Sequence, residues 1–323
     1  MLFADLKNDF VFRRIFATHP NILRRLLNDL LDRQGSQTIE DIEYLPSAQL
    51  PQVEGAKLSI LDVRCKDRSG TTFVVEMQLM HHPGFVNRVV YNACKAYAGQ
   101  LQARDSYTKL TDVIAISICD FELWPDAQQD KKKLPRVPMV SRWNMTEQKS
   151  GSPGLLQVQY AFLELPKLPP NKPEIGGAPY WAWLFVHATE LTEIPPELSE
   201  GPYRDALELA IQAKFTKEEM QTYEKVRDEI QQVFEIASAR WAEGKAEGKA
   251  EGKAEGKAEG RAEGETSGRV KSLLAVMSAR GLSPSAEALG RIEACRDVDT
   301  LDQWIKRAVL GSSVEDVLGM AGT

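Results

Sequence analysis

The chain has 323 residues, of which 43% are hydrophobic and 27% are charged, and its formal net charge is −6. This composition is typical of a globular protein, so it excludes wholesale disorder, and the apolar runs are too short for a membrane-spanning class. The negative net charge argues against a protein that coats nucleic acid without specificity, although local contacts with phosphates stay possible.

Cysteine usage and the first residues predict a cytoplasmic location. The four cysteines lie far apart and form no CxxC pair, which is typical of thiols in a reducing compartment rather than of a zinc site. The chain begins MLFADLKNDF, with acids where a secretory signal peptide carries basic residues. We therefore expect no export.

Hydrophobic periodicity predicts an α/β body followed by a helical C-terminal half. Helices are expected at residues 6–16, 21–31, 85–103, 180–189, 202–215 and 216–241. Strands are expected at residues 57–66, 71–80, 111–119 and 157–165. The strand at 111–119 (TDVIAISIC) is apolar almost throughout, as is typical of a buried central strand. Residues 166–179 are rich in proline and glycine and are expected to form a loop.

Six tetrapeptides, from AEGK to AEGE, follow from Ala242. In a helix this spacing stacks like charges at i and i+4, and each glycine costs about 1 kcal/mol relative to alanine. We favour a solvated linker; a helix whose glycine stripe packs against a second copy is the alternative. Beyond the repeat, residues 269–280 and 301–310 are expected to be helices of a small tail.

The two strands on either side of DRSG predict an acid pair. Pairing their apolar faces in a hairpin centred near Ser69 places Asp62 directly across from Glu76. Like charges at such positions repel each other unless one carboxyl is protonated or a cation lies between them. Mg²⁺ is the natural cation because it binds one or two carboxylates together with phosphate oxygens. Gln78 projects from the same face and could orient a water or a phosphate; the alternative is that the pair is simply the solvent side of the hairpin.

The helix after the hairpin carries Arg88, Tyr91 and Lys95 on one face. This face could bind a nucleic-acid backbone, although an ordinary polar face has the same spacing. His81 and His82 are adjacent and cannot both face one metal from a strand, so we expect a surface turn there. The basic run at residues 131–133 is expected in a solvated loop, with a DNA contact as the alternative.

The segments KNDFVFRRIF, SILDV, VVEMQ, NRVVYNACKAYAGQL and TDVIAISICDFEL, in this order, resemble the PD-(D/E)XK nuclease family transposases, a group that includes bacterial recombination-promoting nucleases. The resemblance implies a restriction-endonuclease-like mixed sheet flanked by helices. It also implies cleavage of DNA with a divalent metal, held by Asp62 and Glu76, with Gln78 at the position of the family's lysine. Asp9 corresponds to a helical acid that aids the metal in related nucleases. The residues after the repeat resemble a small helical domain of unknown function.

These observations predict three parts: a nuclease-like domain at 1–240 (core about 1–165, helical extension 180–240), the repeat at 241–267 and a helical tail at 268–323. The expected activity is that of a Mg²⁺-dependent DNA endonuclease, with the protein acting as a homodimer. The alternatives are a DNA-binding or interaction protein on the same fold that has lost catalysis, and a scaffold assembled through the repeat and tail.

Overall fold

The computed structural model describes residues 1–49 and 59–319, so Leu58 and the start of the strand predicted at 57–66 lie outside the described residues. The chain divides into two compact units, Met1–Gln231 and Gln232–Thr323. Each unit is described by itself.

The first unit combines helices with a mixed sheet. Its helices are α1 (Asp9–Phe16), α2 (Pro20–Leu31), α3 (Phe85–Ala98), α4 (Asp126–Lys132), α5 (Gly177–His187), α6 (Pro202–Ala210) and the start of α7 (Lys217–Ala279). Its strands are β1 (Ile42–Tyr44), β2 (Ala48–Gln49), β3 (Ser59–Ile60), β4 (Val63–Asp67), β5 (Thr72–Gln78), β6 (Val113–Cys119), β7 (Val140–Thr146) and β8 (Pro153–Glu164).

Six of these strands form one sheet in the order β1-β4-β5-β6-β8-β7. β5, β6 and β8 run parallel to one another, whereas β1, β4 and β7 pair with their neighbours antiparallel. β6 lies between two parallel strands and all seven of its residues are buried, which confirms the central strand that its apolar sequence predicted. The connection from β5 to β6 contains α3, as a parallel pair requires.

Helices cover both faces of the sheet. On one face α1, α2, α5 and α6 pack against inward side chains that include Val75 of β5 and Ile116 of β6. On the other face α3 packs against the alternate residues of the same strands, including Val74 and Ala115. This mixed sheet flanked by helices confirms the predicted α/β fold class and is consistent with a restriction-endonuclease-like architecture.

One carboxylate joins three of the helices on the sheet face covered by α1, α2, α5 and α6. Asp29 Oδ2 of α2 accepts hydrogen bonds from Trp181 Nε1 of α5 (2.9 Å) and from the Tyr203 hydroxyl of α6 (2.6 Å). Arg25 Nε lies 2.8 Å from the same oxygen and neutralises its charge. Because both aromatic donors are buried, they would be left unsatisfied without this acceptor. The network therefore fixes α5 and α6 relative to α2.

The strand predicted at 57–66 is interrupted at Asp62. Residues Ser59 and Ile60 pair with β2 in a separate two-stranded sheet, and β4 begins only at Val63. A continuous strand would place Leu61 on the same face as Val63, but Val63 packs in the cluster with α1 and α2 and Leu61 packs in the cluster with α3. The prediction of one continuous strand was wrong here because the chain bends at Asp62.

Two elements beside the sheet were not predicted. β7 pairs only with β8 and is mostly exposed, so its sequence, VSRWNMT, lacks the apolar run of a central strand. α4 occupies part of the basic segment expected to be a loop, and Lys133 ends it in the left-handed conformation (φ 54°). Its lysines are exposed, as a solvated face would be.

The second unit contains the repeat and the tail. α7 continues without interruption through the repeat, and the side chains of residues 242–265 are exposed. The tail adds α8 (Ala286–Ala294), α9 (Val298–Leu310) and α10 (Val314–Leu318). These helices enclose a small core with the end of α7, in which Met277, Ile292 and Leu301 are fully buried. The helices expected at 269–280 and 301–310 are present, whereas α8 and α10 were not predicted.

Candidate active site

The predicted acid pair lies where β4 and β5 meet. The ladder pairs Val63 with Val75 and Arg64 with Val74, so the next step places position 62 opposite position 76. This is the register that the apolar faces predicted. Asp62 stands one residue before β4, and Glu76 lies within β5 near its C-terminal end.

Both carboxylate oxygens of Asp62 have donors. Oδ1 accepts a hydrogen bond from Arg13 Nη2 of α1 at 3.0 Å, and Oδ2 accepts one from the backbone N–H of Met77 at 2.8 Å. The side chain is only 14% exposed. Burial and, to a smaller extent, the charge of Asp9 raise the pKa of Asp62 to about 6, although the Met77 hydrogen bond and Arg13 act in the opposite direction.

Glu76 is held from the opposite face by α3. Its Oε1 accepts a hydrogen bond from Asn92 Nδ2 at 2.9 Å, and its Oε2 lies 3.8 Å from Arg88 Nη2. Burial raises the pKa of Glu76, partly offset by Arg88 and by the Asn92 hydrogen bond. Each acid of the pair therefore has its own arginine, supplied by helices on different faces of the sheet.

Gln78 is connected to the same arginine. Arg88 Nη2 donates to Gln78 Oε1, and Gln78 Nε2 donates to the carbonyl of Met80 at 3.1 Å. These two contacts fix the orientation of the amide. Arg88 thus faces the end of β5, where it contacts both Glu76 and Gln78.

The other residues predicted to bind DNA lie apart from these contacts. Tyr91 is 43% exposed on α3, and Lys95 Nζ lies 5.8 Å from the centre of its ring. The structure therefore places Tyr91 and Lys95 together at the surface of α3. Arg88 instead belongs to the cluster around the acid pair.

Asp9, the helical acid expected to aid the metal, lies at the start of α1. Its side chain is 53% exposed, and its Oδ1 is 3.2 Å from Arg13 Nε. Arg13 therefore stands between the carboxylates of Asp9 and Asp62 as their shared counter-ion. Asp9 acts on Asp62 electrostatically, by raising its pKa.

Sequence reasoning missed three contacts around the pair. Arg13 and Asn92 hold the two acids, and Lys7 Nζ lies 2.9 Å from Asp120 Oδ2 just beyond β6. The backbone N–H of Asp120 donates to the carbonyl of Gln78 at 2.9 Å, so this ion pair is anchored at the end of β5. Helical spacing offered one signal, because Asn92 follows Arg88 by four residues on α3.

The donor set fits a hard divalent cation of the Mg²⁺ type. The described residues contain no group of three or more histidine, cysteine, aspartate or glutamate side chains that could hold a metal. Two carboxylates are nevertheless sufficient for Mg²⁺, which keeps several waters and accepts phosphate oxygens. The raised pKa values of Asp62 and Glu76 indicate that two ionised carboxylates are costly here, and a cation would relieve that cost. The rings of His81 and His82, which follow β5, pack against Phe121 and Phe85.

The raised pKa of Asp62 predicts a pH-dependent stability in chelator. The folded state favours the protonated carboxyl, so the wild type should lose stability as the pH rises from about 4 to about 6 and then level off. Asp62→Asn has no carboxyl to ionise at this position. Its free energy of unfolding should therefore increase by on the order of 2 kcal/mol relative to that of the wild type between about pH 4 and pH 6. Urea unfolding at several pH values measures this difference. Glu40→Gln, at an exposed carboxylate, is the control; a constant difference between Asp62→Asn and the wild type would contradict the prediction.

Comparison with known proteins identifies the family. The family model of the PD-(D/E)XK nuclease family transposases matches residues 6–234, which include the whole site described above. No curated protein and no solved structure matches the chain. No helix among the described residues is both long enough and apolar enough to span a membrane. The match covers most of the chain, and the chain belongs to the PD-(D/E)XK nuclease family transposases.

Proposed function

We propose that the protein is a divalent-metal-dependent DNA endonuclease whose site is built on Asp62 and Glu76. The observation that carries the proposal is that two largely buried acids flank the Val63–Val75 pair where β4 meets the end of β5, in a chain of this nuclease family. Family membership supports a nuclease-related function. Magnesium, DNA as the substrate and internal cleavage are our finer proposals.

Each residue of the site has a distinct role in this proposal. Asp62 and Glu76 would hold the Mg²⁺, which when bound supplies a Lewis acid and lowers the pKa of a water molecule. Asn92 orients Glu76 through its hydrogen bond, and Gln78 positions water or phosphate with its fixed amide. Arg88 neutralises charge beside Glu76, where the phosphate of the substrate would lie. Hydrolysis breaks one phosphorus–oxygen bond of the backbone by in-line attack of water.

A second candidate function is a nuclease-fold protein that binds DNA or a partner without cleaving it. Two observations favour it. Gln78, a neutral amide, stands at the position of the family's lysine, and Arg13 and Arg88 already neutralise the two acids. Retention of both carboxylates favours the enzyme.

A plasmid-cleavage assay separates these functions. Wild-type protein with Mg²⁺ should nick supercoiled plasmid, and chelator should abolish nicking because the acid pair cannot polarise a phosphate alone. Asp62→Asn and Glu76→Gln should each reduce the rate by at least 100-fold. Glu40→Gln, at an exposed carboxylate outside the site, should cleave like the wild type. Absence of cleavage by folded wild type with Mg²⁺ and Mn²⁺ would favour the binding protein, and activity retained in both site variants would contradict the assigned residues.

We further propose that the protein is cytoplasmic and acts as a homodimer. We also propose that each copy has the three parts expected at residues 1–240, 241–267 and 268–323. The widely spaced cysteines support the cytoplasmic location. On α7, Val233, Phe234 and Ile236 are 53%, 39% and 55% exposed. Exposed apolar side chains on a long helix favour pairing with a second copy, and two copies would supply one site for each DNA strand. A role in DNA recombination is compatible with such cleavage.

Light scattering tests the dimer. The full chain should have twice the 36.1 kDa mass of one copy. Val233→Glu combined with Phe234→Glu should give the mass of one copy, because like charges would face each other in the paired helices. Glu224→Gln, an exposed polar change on the same helix, is the control. A double variant with unchanged mass would contradict pairing through this part of α7.

A further inference from the structure

Arg64 is a partly buried cation beside the candidate site for which the described residues supply no counter-ion. It is the second residue of β4, directly opposite Val74. No carboxylate of the described part of the chain forms an ion pair with it. Its Nε is buried and has no hydrogen-bond partner among those residues.

The neighbouring Arg13 and Arg88 also have a buried Nε without a hydrogen-bond partner, but unlike Arg64 they have carboxylates. Arg13 Nη2 lies 3.0 Å from Asp62 Oδ1, and Arg88 Nη2 lies 3.8 Å from Glu76 Oε2. Each of these guanidinium groups thus has a carboxylate. A charge that is removed from water without compensation destabilises the protein, so an anion supplied from outside would be favoured there.

The position of Arg64 relates this charge to the acid pair. Cross-strand partners share a face of the sheet, so Arg64 lies on the face of Val74 and Glu76. Arg64 and Glu76 are diagonal neighbours, a relation in which residues are about 7–8 Å apart. Charges along one DNA strand are spaced about 3.4 Å along the helix axis. If the scissile phosphate of a DNA strand lies at the acid pair, a phosphate one or two positions along the same strand would therefore lie near Arg64.

We propose that Arg64 is a phosphate-binding residue that holds the DNA backbone next to the cleaved linkage. The proposal deepens the proposed nuclease function and rests on it. A guanidinium group suits this task because its planar donors can bind two phosphate oxygens at once. Arg64 contacts the substrate to position it and takes no part in the proton transfer.

Fluorescence anisotropy with a labelled DNA duplex tests the proposal on the full-length protein in chelator, where the duplex stays intact. Arg64→Met should weaken binding about 10-fold and reduce the slope of log Kd against log salt by about 0.9, the contribution of one phosphate contact. Arg64→Lys should restore most of the slope because it keeps the charge. Arg68→Gln removes a cation from the same hairpin, but Arg68 is 71% exposed and close to Glu40 and Asp41, so this control should bind like the wild type.

Thermal unfolding without DNA distinguishes a binding role from a structural one. Arg64→Met should raise the Tm by about 2–4 °C, because it removes a partly buried charge for which the described residues supply no ion-pair partner. A lower Tm would show that Arg64 has an internal partner and would overturn the proposal. Unchanged DNA binding by Arg64→Met would overturn it while leaving the nuclease function intact. Failure of the wild type to bind DNA or to cleave it would contradict the proposed function as well.

Discussion

Burial of two carboxylates near one end of β5 is the constraint around which this site is built. Asp62 precedes the first pair of the β4–β5 ladder, Glu76 follows Val75 of that pair on β5, and burial raises the pKa of each acid. Without a cation, such a pair would remain ionised only at a cost to the folded state. The protein supplies Arg13 to one acid and Arg88 to the other. A divalent cation would do the same work for both acids at once, which is why the geometry suits metal-assisted phosphodiester cleavage.

The fold explains how two arginines reach one strand end from different directions. α1 lies in the helical layer on one face of the sheet, and the α3 crossover covers the other face. The buried Asp29 network ties that helical layer together by joining α2 to α5 and α6. The side chains that orient the acids are thus carried by packed helices rather than by loops. Rigid placement of this kind is what preorganised catalysis requires.

Much of this arrangement could be predicted from the sequence, and the exceptions have physical causes. Alternating apolar residues determined the hairpin register, because one slipped residue would turn every apolar side chain of the strand to the wrong face. The continuous strand expected at 57–66 was wrong because the chain bends at Asp62, whose carboxylate accepts a hydrogen bond from the Met77 N–H. Arg13 lies 49 residues before its partner, so no local pattern could connect the two. β7 was missed because an exposed edge strand lacks the apolar signature of a central one.

The central claim is that Asp62 and Glu76 together form a site for one divalent cation. Calorimetric titration of Mn²⁺ into the full-length protein, in the presence of a DNA duplex with a non-hydrolysable linkage, tests it most directly. The wild type should bind one ion per chain at this site, with at least 10-fold weaker binding in Asp62→Asn and in Glu76→Gln. The same affinity in the wild type and both variants, or no binding by a wild type that does bind the duplex, would contradict the account.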